Sequence, residues 1–180
     1  MNKLLLTFII AIALFFAYGI FTNLNKTTIK SKRIECQNKT VTFESIYNKK
    51  KISEVQKLLL SNNFIIQSEI NYSTLMPTVL KEYFDIKKAD ELLMKNIPQK
   101  EKIKSDKKLI VDYYIYENDK EDTNKKNAKA KLYAGYLLFE FKLDDKIIYK
   151  IQSDYMKQDG SDIEDRMKCI IKSFLTIKGE

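Results

Sequence analysis

The chain has 180 residues, 32 basic against 24 acidic for a formal charge of +8, no histidine, four glycines and two cysteines. The missing histidine excludes the commonest general base, the usual nucleophilic triad and most zinc sites. So few glycines leave no phosphate-cradling loop or dinucleotide fingerprint. Lys3, Lys26 and Lys30 precede residue 31, which takes the remainder to +5 (8 − 3), and arginine stands only at 33 and 166. Lysines scattered among acids describe a solvated surface, so nucleic acid is not an expected partner.

Leu4 to Phe21 is one apolar run with Lys3 before it and no acidic residue ahead of Glu35. Its length approaches the ~20 residues that span a bilayer. The expectation is an N-terminal transmembrane or signal helix over residues 1–21, holding the chain in an inner membrane through residues 4–21. Ala17 and Gly19 also suit cleavage before Ile20, which would release a soluble periplasmic or secreted protein. Lys26, Lys30, Lys32 and Arg33 follow the run. By the positive-inside rule they argue for a cytoplasmic domain, against the short basic head of an ordinary signal anchor. We expect export, with the domain in the periplasm. Residues 22–34 read as a polar basic connector suited to anionic headgroups, and residues 35–180 as a single extracytoplasmic domain.

Thr40 to Ile46 alternates and predicts a short strand. Ser53-Glu54-Val55-Gln56 fits a capping box, opening a helix that buries Ile52, Val55, Leu58 and Leu59. Asn62-Asn63 ends it, since asparagine tolerates the left-handed cap. Phe64 to Ile70 predicts a strand. Pro77 to Phe84 predicts a short helix, and Ile86, Ala89, Leu93 and Ile97 mark the apolar face of another, stopped by Pro98. Gln99 to Lys107 reads as charged loop.

Leu109 to Tyr116 is rich in β-formers and predicts a strand, and Glu117 to Asn127 has little to bury. Leu132 to Leu143 and Ile147 to Met156 predict a hairpin, whose apolar positions are odd on both arms. Opposite residues share a face, so Phe141 pairs with Tyr149, Phe139 with Ile151 and Glu140 with Lys150. That parity predicts a three-residue loop, Asp144 to Lys146. Gly135 marks a bulge or a close backbone approach. Ser161-Asp162-Ile163-Glu164 predicts a second capping box, followed by a stripe of Ile163, Met167, Ile170, Ile171 and Phe174 that needs the sheet to bury it.

Cys36 and Cys169 are predicted to form a disulfide. Cys169 lies off the apolar stripe, where a free thiol would be a liability outside the cytoplasm. Tyr114, Tyr116 and Tyr136 are candidates for a partner-binding patch on the outer face of the sheet. Asn25, Asn38 and Asn71 sit in N-x-S/T sequons. Asn71, with Glu69 two residues ahead, resembles the stricter bacterial glycosylation acceptor. The acidic groups Asp119, Glu121, Asp122 and Asp159, Asp162, Glu164, Asp165 lack calcium-loop spacing and suit a solvated loop and a helix start. No catalytic, cofactor-binding or metal residues are assigned, and no enzyme activity is expected.

The fold class expected is α+β: a two-layer domain with an antiparallel β meander and helices on one face. The order of elements from Ser53 to Ile177, with the helix ending at Asn63-Phe64, the acidic turn Asp144-Asp145-Lys146 and the C-terminal amphipathic helix, resembles small α/β domains of bacterial envelope accessory proteins. Examples are the lipopolysaccharide-assembly and curli-secretion lipoprotein folds. The chain departs from them in lacking a lipobox cysteine. The resemblance implies a non-catalytic accessory subunit that docks envelope protein partners. A lipid or small-molecule carrier using a cleft between helices and sheet, and a carboxylate-dependent hydrolase, are the alternatives.

Overall fold

In the computed structural model, residues 3–24, 26–29, 32–100, 105–123 and 132–180 are described. The elements are α1 (Lys3–Leu24), β1 (Thr27–Ile29), β2 (Thr42–Ile46), α2 (Ile52–Leu60), β3 (Phe64–Asn71), α3 (Leu80–Tyr83), α4 (Ile86–Asn96), β4 (Leu109–Glu117), β5 (Gly135–Leu143), β6 (Lys146–Tyr155) and α5 (Ile163–Leu175), with 3-10 turns at Glu35–Lys39 and Lys49–Lys51.

One six-stranded sheet runs β1-β2-β6-β5-β4-β3. It is mixed rather than the antiparallel meander expected: β3 and β4 are parallel, and the other pairs are antiparallel. Parallel neighbours cannot be joined by a tight turn, and the connection from β3 to β4 carries α3 and α4.

Strand β4 alternates between buried and half-buried residues along its whole length, the signature of a sheet covered on one face. The covered face carries Leu109, Val111, Tyr113 and Ile115 of β4, Leu137, Phe139 and Phe141 of β5 and Tyr149 and Ile151 of β6, all at most 1% exposed. Leu59 of α2, Leu93 of α4 and Phe174 of α5 close over them with no exposed surface. Phe174 stacks on Phe141 at 4.0 Å between ring centroids and on Tyr149 at 5.4 Å. Gly135 is required by close approach, since a Cβ there would lie 1.9 Å from the Tyr116 carbonyl oxygen and 2.5 Å from the Tyr155 ring.

The hairpin pairs Phe141 with Tyr149, Phe139 with Ile151 and Glu140 with Lys150, as parity demands. Its turn, however, has two residues: Asp144 and Asp145 take φ of 50° and 58°, the geometry of a tight primed turn. The odd residue sits in the strand, where register slips between Phe141 and Lys142 and leaves Ile148 as the extra one. Its carbonyl accepts from Tyr47 and Asn48 N–H, so the bulge also anchors the chain leaving β2.

Both capping boxes are corrected. Helix α2 starts from the preceding 3-10 turn with Lys51 at its N-cap, and Gln56 instead donates to the carbonyls of Phe174 and Ile177. Before α5, Asp162 accepts from Met156 and Lys157 N–H and pairs with Arg166, while Glu164 pairs with Lys95. Asn62 ends α2 in the left-handed region at φ 61°. Ile86 is 37% exposed and does not join Ala89, Leu93 and Ile97 in the core.

The connector is not a free linker either. Thr27, Thr28 and Ile29 pair with Ile46, Ser45 and Glu44, and Lys26 lies over the Tyr47 ring at 5.3 Å. Arg33 does not face outward to a lipid surface. It clasps the buried Glu44 carboxylate at 2.6 Å and donates to the Ser173 carbonyl at 2.8 Å. Gln37 and Tyr149 also donate to Glu44, and Gln37 to Ser173 Oγ. Burial with Glu44 alongside pushes the Tyr149 hydroxyl well above its usual range.

Next to this network Cys36 and Cys169 form the predicted disulfide, with Cα atoms 5.8 Å apart. Cys169 lies off the sheet-facing stripe as expected, yet it is only 6% exposed. Tethering residues 133 positions apart removes chain entropy from the unfolded state, worth at most about 5 kcal/mol.

Among the described residues no helix is long and apolar enough to cross a membrane, so the expected spanning helix is not borne out. The side chains described in α1 run only from Leu5 to Ala17, and every one of them is exposed.

Candidate protein-interaction face

The face of the sheet opposite the helices is built from the alternate residues of each strand, and register aligns them in rows. One row runs Phe43, Gln152, Leu138, Tyr114, Glu69 across β2, β6, β5, β4 and β3, and the next runs Asp154, Tyr136, Tyr116, Asn71. The three predicted partner-surface tyrosines are therefore brought together. The Tyr136 ring lies 5.9 Å from Tyr114 and 4.9 Å from Tyr116, and the hydroxyls of Tyr114 and Tyr136 are 3.4 Å apart. Burial and the neighbouring tyrosines raise the Tyr136 hydroxyl, and burial raises the Asp154 carboxyl.

Sequence reasoning missed two members of this surface. Phe43, 60% exposed, sits in the alternation Thr42-Phe43-Glu44, where its partners on either side face the helices. Leu138, 9% exposed, is shielded although it lies on the open face. Leu138 joins the three tyrosines in an apolar cluster on β4 and β5, and Phe43 on β2 stands across Gln152 of β6 from it. The three tyrosines are half-buried and Phe43 is exposed, and aromatic side chains on an uncovered face are enriched at binding surfaces.

The adjacent row, Ser45, Lys150, Glu140, Asp112 and Gln67, is charged. Its charges neutralise one another: Lys142 pairs with Asp112 at 2.5 Å and Glu140 at 3.0 Å, and Lys150 pairs with Glu140 at 2.6 Å. Lys150 and Lys142 hold the Glu140 carboxyl below its usual range against the opposing effect of burial. A band paired within itself has little to offer a polyanion, which leaves the apolar cluster as the adhesive part of the face.

Among the described residues the sheet ends at β3, whose second edge has no strand beside it. Its sequence, Phe-Ile-Ile-Gln-Ser-Glu-Ile-Asn, has none of the lysines or prolines that usually block an exposed edge. Ile65, 45% exposed, lies on the same open face.

The other candidates have structural employment. Asp119 accepts from Thr74 and Leu75 N–H and from the Ser73 hydroxyl. Glu117 accepts from Ser73, Val79 and Leu80 N–H and the Thr78 hydroxyl. Burial alone would raise the Glu117 carboxyl, but these four donors outweigh it and hold it below its usual range. Both carboxylates pin the loop that follows β3. Asn71 closes β3 half-buried, and the Ser73 hydroxyl of its sequon is held by Met76 and Asp119. Asn25 lies outside the described residues. No group of three or more histidine, cysteine or acidic side chains that could hold a metal is found among the described residues.

Compared with protein-family models, with curated proteins and with solved structures, the chain matches none.

Proposed function

We propose that this chain is a membrane-tethered, extracytoplasmic accessory subunit of a cell-envelope assembly, and that it holds a protein partner on the helix-free face of its sheet. The observation that carries this reading is the apolar cluster Leu138, Tyr114, Tyr136 and Tyr116 with exposed Phe43 across Gln152 from it, set beside a self-neutralised charged band and a β3 edge that no described strand pairs. Strand addition at β3 would supply main-chain hydrogen bonds, and the cluster would supply the buried contacts.

Tethering rests on α1. Side chains such as Phe8, Leu14, Phe15 and Phe16 are at least 64% exposed there. Such exposed apolar side chains suit contact with lipid better than with water, although among the described residues no helix is long and apolar enough to cross a membrane. The disulfide is compatible with an oxidising compartment. The covered face leaves no room for the carrier alternative, since side chains with no exposed surface fill the space between helices and sheet. The hydrolase alternative finds no favouring observation, because Asp119 and Asp162 spend their oxygens on backbone N–H groups.

Site-specific photo-cross-linking in native membranes tests the proposal. A photoreactive residue at Phe43 or Ile65 should give one discrete adduct, and the same residue at the exposed Lys57 on α2 should give none. Adducts of equal intensity from all three positions would overturn it.

A further inference from the structure

We propose that the cleft beside the Cys36–Cys169 disulfide binds an oxyanion of the phosphate or sulfate type. This cleft, about 200 Å3, lies between the Glu35–Lys39 turn and α5. Its lining carries four cations, Lys39, Arg166, Lys168 and Lys172, against a single carboxylate, Asp165. The disulfide is the cause of this convergence: it ties the turn to mid-α5 and so brings Lys39 beside the basic side of the helix.

Two observations point to an absent counter-charge. Lys39, Lys168 and Lys172 form no ion pair among the described residues, as is true of other exposed lysines such as Lys50, Lys57 and Lys87, and what distinguishes these three is that they line one cleft. Lys168 and Lys172 are one helical turn apart, an arrangement that like charges make unfavourable. Second, Arg166 is only 8% exposed, touches Asp162 at 3.3 Å through one terminal nitrogen, and its buried Nε has no acceptor among the described residues. A buried guanidinium donor left without an acceptor is costly. A tetrahedral oxyanion supplies several acceptors and a negative charge at one point, which is what a guanidinium ringed by ammonium groups recognises. Free phosphate and a phospholipid headgroup carry the same chemistry.

The test uses the full chain in phosphatidylcholine nanodiscs, titrated with inorganic phosphate while amide shifts of residues 165–172 are followed. Saturable shifts are expected, weakening with added salt. In Lys168→Ala/Lys172→Ala, which changes exposed side chains and should keep the wild-type melting temperature, affinity should fall at least about tenfold. Lys49→Ala/Lys50→Ala should bind like wild type. Shifts that never saturate, or that are equal in wild type and the Lys168→Ala/Lys172→Ala variant, would overturn the proposal. Nanodiscs containing phosphatidylglycerol then distinguish the source. The same shifts without phosphate identify a lipid headgroup, and their absence identifies a free anion; both support the site.

Discussion

The two faces of this sheet use the same residue types for opposite ends. On the covered face each of two tyrosine hydroxyls ends on a carboxylate, Tyr113 on Asp90 at 2.7 Å and Tyr149 on Glu44 at 2.9 Å. Their rings are sealed beneath helices. On the open face Tyr114 and Tyr136 meet only at 3.4 Å, hydroxyl to hydroxyl, and Phe43 stands largely in solvent. The fully buried Tyr155 hydroxyl has no acceptor among the described residues, but at Tyr113 and Tyr149 a dedicated partner for the polar tip leaves those tyrosines committed to the fold. The open-face rings are not, and substitutions on the two faces should separate stability from partner binding.

The largest effect is expected from Phe174→Ala, which empties the space over Phe141 and Tyr149. It should cost about 3–5 kcal/mol in chemical denaturation. Arg33→Ala leaves Glu44, only 3% exposed, without its cationic partner and should cost about 3 kcal/mol. A loss below 1 kcal/mol would mean that the N-terminal segment is not part of the folded unit.

Glu117→Gln sharpens the comparison at the end of β4 through pH. The folded-state carboxyl is depressed, so its contribution is complete above the ordinary glutamate value of 4.5 and disappears as pH falls through the lower folded value. Wild-type stability should decline across that acidic window, and the variant should show a shallower decline in melts between neutral and acidic pH. The smallest stability effect belongs to Phe43→Ser, within about 0.5 kcal/mol of wild type, although it should abolish the cross-link from Ile65.

Much of the covered face was legible in the sequence, because burial imposes a period. The odd-position rule paired Phe141 with Tyr149 and Phe139 with Ile151 correctly. It misplaced the odd residue because a bulge at Ile148 and a longer loop satisfy the same parity. The helices predicted between β3 and β4 are long enough for the crossover that parallel neighbours need, yet nothing local to either strand distinguishes that pairing from an antiparallel return. Strand β1, three residues long, carries too short a pattern to read. The Arg33–Glu44 pair depends on the chain folding back across α5 and β2, which no local pattern encodes. One available signal was composition: arginine occurs only twice in a chain with 32 basic residues, and both copies prove to be engaged with acids. On the open face the tyrosines could be placed by alternation, while Phe43 became part of that surface only once β2 was known to lie beside β6.

Hydroxyl-radical footprinting tests the central claim most directly, by comparing the chain in its native membranes with the purified chain. Phe43 should be modified several-fold less in the membranes, while Met94, 41% exposed on α4, is modified equally in both and serves as the internal standard. Equal modification of Phe43 in the two preparations would contradict a partner on the open face of the sheet.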